Sequence, residues 1–239
     1  MRIQPTFKSV LIGAAAALLL ATSAQATLLG RDLSGNAVAT NSASAVFFYD
    51  TDRNITWLRN ANAAAGSAFD NGASSTDGLM GWSNAVAWAA DLTVGSFSDW
   101  RLPVAQASCQ FNCTTSELGH LWYSELGNAV NGSNQVIGTV NKGDFQNLLL
   151  ESFGFLWTGT EFDATHALVF SFGLGGQFIN IKESSGAFIV EYRALAVRDG
   201  DVLRTVTPPN GVPEPGTLLL TAAALLGLGV ARRKAVLPG

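Results

Sequence analysis

Positively charged residues are scarce in this chain, and their scarcity excludes several classes of partner. The 186 residues from 27 to 212 carry nine Lys and Arg side chains against 17 Asp and Glu, a net charge of −8. Such an acidic body repels nucleic acid and anionic membrane surfaces, which bind basic proteins. Only 13% of the whole chain is charged, and Gly, Asn, Ser and Thr are plentiful, which is typical of an exported, loop-rich domain.

Cysteine and histidine are equally sparse, with two of each. Because exported proteins meet an oxidising compartment, Cys109 and Cys113 are predicted to form a disulfide that closes a tight loop. The alternative is a metal site, but neither His120 nor His166 stands at ligand spacing from the thiols. The histidines also lack a nucleophile at a spacing that implies hydrogen-bond reach, so we expect no catalytic activity.

The first 26 residues have the three parts of a secretory signal peptide. A basic start precedes an apolar run at residues 10–21, and Ala24-Gln25-Ala26 is a small-x-small cleavage site. We expect signal peptidase to cut after Ala26. Residues 27–44, which are small and polar, are expected to form a loose lead-in to the domain.

The C-terminal end contains an apolar segment without charge at residues 217–231, followed by a basic cluster at 232–234. A membrane-spanning helix needs about 20 mostly apolar residues, so this segment is predicted to be a short transmembrane helix. Basic residues stay on the cytoplasmic side, which places the body of the protein on the other face. The alternative is a buried core helix near the terminus.

Val212-Pro213-Glu214-Pro215-Gly216, the apolar segment and the basic cluster together resemble the PEP-CTERM sorting signal of Gram-negative bacteria, over residues 208–239. The resemblance implies that a membrane-embedded cysteine peptidase, exosortase, recognises Pro213, Glu214 and Pro215 and removes the helix. It also implies a precursor tethered to the inner membrane, delivery to the cell surface or extracellular matrix, and a connection with exopolysaccharide and biofilm. Two prolines keep the cleavage segment extended.

Between the two signals, the patterns predict one α+β domain over residues 45–207. Helical spacing of apolar residues predicts a helix over 82–92, and Thr114-x-x-Glu117 indicates a capping box that begins a second helix. Runs rich in aromatic and β-branched residues predict strands at 45–49, 55–58, 155–158, 167–172, 177–181 and 188–197.

Several segments of this body resemble the Lcl C-terminal domain family: "YDTDRNITWLRNAN", "WSNAVAWAADLTVGSFSDWRLP", "CTTSELGHLWYSELGN", "FLWTGTEF" and "EYRALAVRDGDV". Trp100-Arg101-Leu102-Pro103 is also similar to the signature of formylglycine-generating-enzyme-like domains. These resemblances imply a C-type-lectin-like fold with two helices and a mostly antiparallel sheet, and adhesion to polysaccharide. Arg101 is expected to be a buried ion-pair partner of Glu117 or Asp99.

A ligand site on such a fold has a short set of candidate residues. Most of the six tryptophans are expected in the core, but one or two exposed indoles are expected to stack on sugar rings. The candidate ligand-binding residues are Trp157, Glu161, Asp163, Asn180 and Lys182.

The run Asp50-x-Asp52-x-Asn54 looks like the start of a calcium loop. Ile55 stands where an EF-hand needs glycine and Ala61 where it needs a closing glutamate, so an EF-hand is excluded. We expect a turn rich in side-chain caps. Calcium held by a lectin-like loop, with Glu161 and Asp163 as further ligands, stays an open alternative, although no cofactor is expected.

Together these features predict an exported, non-catalytic protein that binds polysaccharide or acts as an adhesin. Its expected partners are signal peptidase and exosortase during export, polysaccharide, and the membrane through the C-terminal helix before processing, with no nucleic acid. The alternatives are a structural or protein-partner role in a biofilm without a sugar site and, third, an enzyme on a formylglycine-generating-enzyme-like fold.

Overall fold

The computed structural model describes residues 28–184 and 190–203, and within them the fold is α+β, as predicted. Most of the regular structure is strand, and the two helices are short. The elements are β1 (Leu28–Asp32), β2 (Ala37–Val38), β3 (Ala45–Asp50), β4 (Ile55–Leu58), α1 (Trp82–Asp91), α2 (Glu117–His120) with a π-helical turn (Leu121–Glu125) directly after it, β5 (Phe155–Glu161), β6 (His166–Ser171), β7 (Gly176–Ile181), β8 (Arg193–Ala194) and β9 (Val197–Asp199).

The strands form two sheets. The first is antiparallel, in the order β2-β1-β3-β4-β9, and the second has the order β7-β6-β5-β8. In the second sheet β5, β6 and β7 are antiparallel neighbours, while β8 runs parallel to β5. The first sheet therefore joins the earliest described strand to the latest, so the described chain returns to the sheet in which it begins.

The prediction of a loose lead-in at residues 27–44 is wrong where β1 and β2 form, because β1 pairs with β3 along its whole length and also with β2. Arg31 is only 4% exposed, and its guanidinium donates two hydrogen bonds, of 3.0 and 2.7 Å, to the carboxylate of Asp201. This ion pair links the first strand to the end of the compact unit, which reaches Val202. The domain thus begins before residue 45.

The central strands β3 and β5, one in each sheet, are covered on both faces, since adjacent residues of each strand are buried on opposite sides. Phe48 on β3 and Leu156 on β5 belong to an apolar cluster that also holds residues of α2 and the π-helical turn. Their neighbours Phe47 and Trp157 belong to a second cluster, which holds the buried face of α1. The two helices thus cover different apolar clusters.

The second helix begins later than its capping box predicts. Its N-cap is Ser116, whose hydroxyl accepts the N–H of Gly119 at 3.2 Å, so the prediction of a cap at Thr114 is wrong. The physical reason is that the carboxylate of Glu117 is used elsewhere. One of its oxygens accepts the backbone N–H of Val104 at 2.7 Å, so it does not reach back to close a capping box.

Arg101 has one of its two predicted partners. Its guanidinium binds Glu117 through two hydrogen bonds of 2.8 and 2.7 Å, which confirms that pairing. The second carboxylate is Asp199, at 2.6 Å, and not Asp99. The hydrogen bonds with Glu117 are the largest cause of the raised pKa of Arg101, so the guanidinium stays charged.

The predicted targeting segments lie outside the described residues. They are the signal peptide at 1–26, the cleavage motif Pro213-Glu214-Pro215, the apolar segment 217–231 and the basic cluster 232–234. Among the residues that the structure does describe, no helix has both the length and the apolar character needed to cross a membrane.

Candidate functional site

Trp82, the first residue of α1, is partly exposed, and hydrogen bonds hold both its indole and its backbone in place. Its indole N–H donates to the carbonyl oxygen of Thr158 at 2.8 Å. Its backbone N–H donates to the carbonyl oxygen of Lys182, also at 2.8 Å. The ring is therefore fixed between β5 and the end of β7, where it forms part of the surface.

The start of α1 depends on a cap supplied from a distant part of the chain. Gly81 is the N-cap and has no side chain, so it makes no capping hydrogen bond of its own. Instead the carboxylate of Glu183 accepts the N–H of Ser83 at 2.8 Å. A carboxylate at this end of a helix satisfies an unpaired donor and matches the helix dipole.

A groove of about 460 Å³ lies beside Trp82, and we call it the Trp82 groove. Its remaining lining residues are Ser83, Ala164, Thr165, Ile181, Lys182 and Glu183. The ammonium group of Lys182 lies 4.7 Å from the centre of an indole ring of Trp82, within range of a cation–π interaction. The same ammonium pairs with Glu161 and donates to the carbonyl oxygen of Ala164 at 3.2 Å.

Trp82 also lines a second, more apolar groove of about 280 Å³. That groove includes the exposed side chains of Val86 and Val104 and the backbone of Gly159. The indole of Trp82 therefore lines two adjacent grooves, an arrangement that suits a ligand longer than a single small ring.

Two of the five candidate ligand-binding residues meet at the Trp82 groove, since Lys182 lines it and Glu161 binds Lys182. Asn180 lies two residues before Lys182 on β7, and its side-chain amide donates to the hydroxyl of Tyr192 at 2.8 Å. The choice of Trp157 is wrong, because its side chain is fully buried. Its indole N–H donates to the carbonyl oxygen of Met80 inside the core, at 2.7 Å.

Asp163 forms the turn between β5 and β6. Its Oδ1 accepts the backbone N–H groups of Thr165 and His166, at 2.7 and 2.8 Å, and its carboxylate also contacts Nδ1 of His166 at 2.9 Å. These hydrogen bonds, that of the Thr165 N–H first, hold the pKa of Asp163 far below the usual aspartate value. Through its hydrogen bond to Thr165, Asp163 thus fixes the position of a residue that lines the Trp82 groove.

The calcium-like run at Asp50 forms the predicted turn with side-chain caps, between β3 and β4. Asp50 Oδ1 accepts the N–H groups of Asp52 and Arg53, at 3.1 and 2.9 Å. Asn54 adopts a positive φ of 52°, and its side-chain oxygen accepts the hydroxyl of Tyr49 at 2.8 Å. This part of the prediction is confirmed.

The second oxygen of Asp50 belongs to a buried cluster with His120 and Glu125. His120 Nε2 lies 3.2 Å from Glu125 Oε1 and 3.7 Å from Asp50 Oδ2. Both carboxylate side chains have no exposed surface. Burial, with a further contribution from the charge of Glu125, raises the pKa of Asp50 above its usual value, against the hydrogen bond from Arg53.

Reasoning from the sequence missed this cluster. Asp50 is 70 residues from His120, and Glu117, the acidic residue nearest to His120 in the chain, binds Arg101 instead. Glu125 follows His120 by five residues, a spacing that would point the two side chains apart on an α-helix. The signal that could have found it is the acidic run at Asp50 itself.

Cys109 and Cys113 form the predicted disulfide, with their Cα atoms 5.7 Å apart. The loop that they close is held on β7 by Gln177, whose side-chain amide donates to the carbonyl oxygens of Gln106 and Cys109, at 2.7 Å each. The disulfide is therefore a structural feature of this loop.

Comparison with known proteins finds no matching family model, no similar curated protein and no similar solved structure.

Proposed function

We propose that this chain is an exported, non-catalytic protein of the cell surface or extracellular matrix that binds neutral polysaccharide through the Trp82 groove. The observation that carries the proposal is the partly exposed, rigidly held indole of Trp82 beside a polar rim. Sugar rings place their C–H faces on aromatic side chains and hydrogen-bond with polar groups around them. Ser83, Thr165 and Glu183 supply such groups at the rim.

The charges of the groove favour a neutral sugar over a sulfated one. Lys182 is the cation among the lining residues, and its charge is compensated by Glu161. Glu183 adds a further carboxylate to the lining, and the turn at Asp163 adds another beside it. A sulfate group would meet more like charge than opposite charge, which lowers its affinity.

The localisation of the protein is part of the proposal, and the support for it comes from the sequence. The signal peptide at 1–26 and the resemblance of 208–239 to the PEP-CTERM signal support export, processing by exosortase at Pro213-Glu214-Pro215 and a role in biofilm. The resemblance to the Lcl C-terminal domain family supports a C-type-lectin-like arrangement of the α+β fold.

The test uses the full chain, purified in mild detergent, on an array of neutral bacterial exopolysaccharides and glucans beside their sulfated counterparts, with calcium and with chelator. Ser83→Gln places a longer, uncharged side chain at the groove. Ala87→Gln makes a comparable change at an exposed position of α1 that does not line the groove.

The expected result is saturable binding to a neutral polysaccharide, weakened at least tenfold by Ser83→Gln and unchanged by Ala87→Gln. Loss of binding in chelator would show that the site includes a cation. Binding that both variants leave unchanged would show that the polysaccharide site lies elsewhere on the protein. No binding at all would refute the proposal and favour a structural or protein-partner role.

A further inference from the structure

The buried cluster of Asp50, His120 and Glu125 has no part in the proposed polysaccharide site. We propose that these three side chains bind one divalent transition-metal ion, of which Zn²⁺ is the best match. The proposal does not depend on polysaccharide binding, because none of the three residues lines the Trp82 groove.

The distances within the cluster fit ligands around one ion. One oxygen from each carboxylate and one imidazole nitrogen all lie within 4.8 Å of one another. Zinc bonds of about 2.1 Å in tetrahedral geometry place neighbouring ligand atoms about 3.4 Å apart. The observed separations of Nε2 from Glu125 Oε1 and Asp50 Oδ2, 3.2 and 3.7 Å, lie on either side of that value.

Unpaired atoms give a second, independent reason. Asp50 Oδ2 and Glu125 Oε2 are buried and have no hydrogen-bond partner. The separation of Asp50 Oδ2 from His120 Nε2, 3.7 Å, is too long for a hydrogen bond. Buried oxygens without partners are uncommon in native proteins and call for an explanation, of which an ion is one.

The charges also balance around a divalent ion. When both are ionised, the buried carboxylates of Asp50 and Glu125 carry two negative charges, whereas one histidine carries at most one positive charge. A divalent ion with a neutral imidazole and two carboxylates gives a site of zero net charge, which removes the penalty for burying unpaired charge. Nitrogen and oxygen donors of this kind suit Zn²⁺, Mn²⁺ or Co²⁺, whereas Ca²⁺ prefers oxygen ligands alone.

The backbone supports this geometry through the π-helical turn. The N–H of Leu126 bonds to the carbonyl oxygen of Leu121, five residues earlier, at 3.0 Å. This wider turn brings Glu125 close to His120. Single π-helical turns are rare and frequently occur at functional sites. The third side chain, Asp50, is fixed at the end of β3 by the two backbone donors on its other oxygen.

The chain provides a matched control, because it has two histidines and each contacts a carboxylate. His166 pairs with one carboxylate, that of Asp163, at an exposed turn, whereas the side chain of His120 is only 10% exposed. The full chain, in mild detergent and with a tag that lacks histidine, is stripped of metal and titrated with Zn²⁺ by calorimetry. Co²⁺ then reports the ligand geometry through its visible absorption.

We expect one Zn²⁺ per chain, a raised melting temperature and a Co²⁺ spectrum of four-coordinate type. His120→Gln and Glu125→Gln should weaken binding roughly 100-fold, since even indirect partners of metal ligands contribute 10- to 100-fold. His166→Gln should bind as the unsubstituted chain does. If His120→Gln does not fold, the imidazole proton resonances of the unsubstituted chain give the same answer, since Zn²⁺ should shift those of His120 and not those of His166.

Absence of saturable Zn²⁺ and Co²⁺ binding would overturn the proposal. So would binding that Glu125→Gln leaves intact, or binding that His166→Gln removes. A metal-free chain that becomes more stable with Glu125→Gln, and that binds no metal before the substitution, would identify the cluster as an ordinary buried ion network.

Discussion

Replacing Gly81 with alanine tests whether the carboxylate of Glu183 is what begins α1 and so positions Trp82. Gly81 has φ −66° and ψ 162°, a conformation that alanine adopts without strain. A Cβ at Gly81 would lie 2.1 Å from Glu183 Oε2, and the three heavy atoms nearest to it all belong to Glu183. Because the exposed carboxylate of Glu183 can rotate away from the new Cβ, the substitution should remove the capping hydrogen bond and change little else.

The magnitude follows from the cap. Loss of a helix N-cap costs about 1 kcal/mol, so Glu183→Ala should lower the free energy of unfolding by about that much. Gly81→Ala should lower it by at most that much, because alanine also restricts the unfolded chain. In a chain that already carries Glu183→Ala, the alanine at Gly81 has nothing to displace. There it should be neutral, or stabilise by about 0.4–1 kcal/mol because it restricts the unfolded chain.

Urea unfolding of the four chains, followed by circular dichroism, measures this coupling. In a thermal scan of the same chains, Glu183→Ala should lower the melting temperature by about 2–4 °C, as expected for a domain of this size, and Gly81→Ala by no more than that. The double variant should be no less stable than Glu183→Ala alone. The reasoning is refuted if Gly81→Ala costs the same in both backgrounds, because the two residues would then be independent.

Three further outcomes follow from the structure. Replacing both Cys109 and Cys113 with serine should lower the free energy of unfolding by about 2 kcal/mol, which is the stabilisation expected from a disulfide that closes a very short loop. An unchanged urea midpoint would contradict this expectation. Asp201→Asn removes the carboxylate that pairs with the buried guanidinium of Arg31, so the free energy of unfolding should fall by about 3 kcal/mol in the same assay. A change within experimental error would show that this ion pair does not hold β1 in place. The depressed pKa of Asp163 stabilises the fold fully above the ordinary aspartate pKa of about 3.9, and this contribution is lost as the pH falls below it toward the folded-state value. Asp163→Asn should therefore flatten the dependence of stability on pH between pH 5 and pH 2, and an unaltered slope would contradict the assignment.

Local patterns in the sequence identify the elements that form the centre of the fold. The strand at Ala45–Asp50 is dense in aromatic residues because both its faces are buried. The helix at Trp82–Asp91 was predicted to within one residue, since its buried side carries apolar side chains at helical spacing. The strand at Leu28–Asp32 was missed because its buried arginine looks like a surface residue until Asp201, 170 positions later, is placed beside it.

The candidate sites were harder to predict because they depend on contacts between distant segments. Trp157 and Trp82 both stand in strongly apolar segments, and only the packing of both faces of β5 shows that Trp157 is buried. Trp82 reaches the surface because α1 begins there. The contact of His120 with Glu125 depends on a π-helical turn, which has no periodic signal in the sequence.

The most direct test of the polysaccharide proposal is an NMR titration that follows the six indole N–H signals of the full chain. Five of the tryptophans are at most 3% exposed: Trp57, Trp88, Trp100, Trp122 and Trp157. Only Trp82 is partly exposed, so its signal should shift saturably with the neutral oligosaccharide that binds most tightly on the array, while the others stay in place. Saturating ligand that leaves the Trp82 signal unmoved would contradict the account.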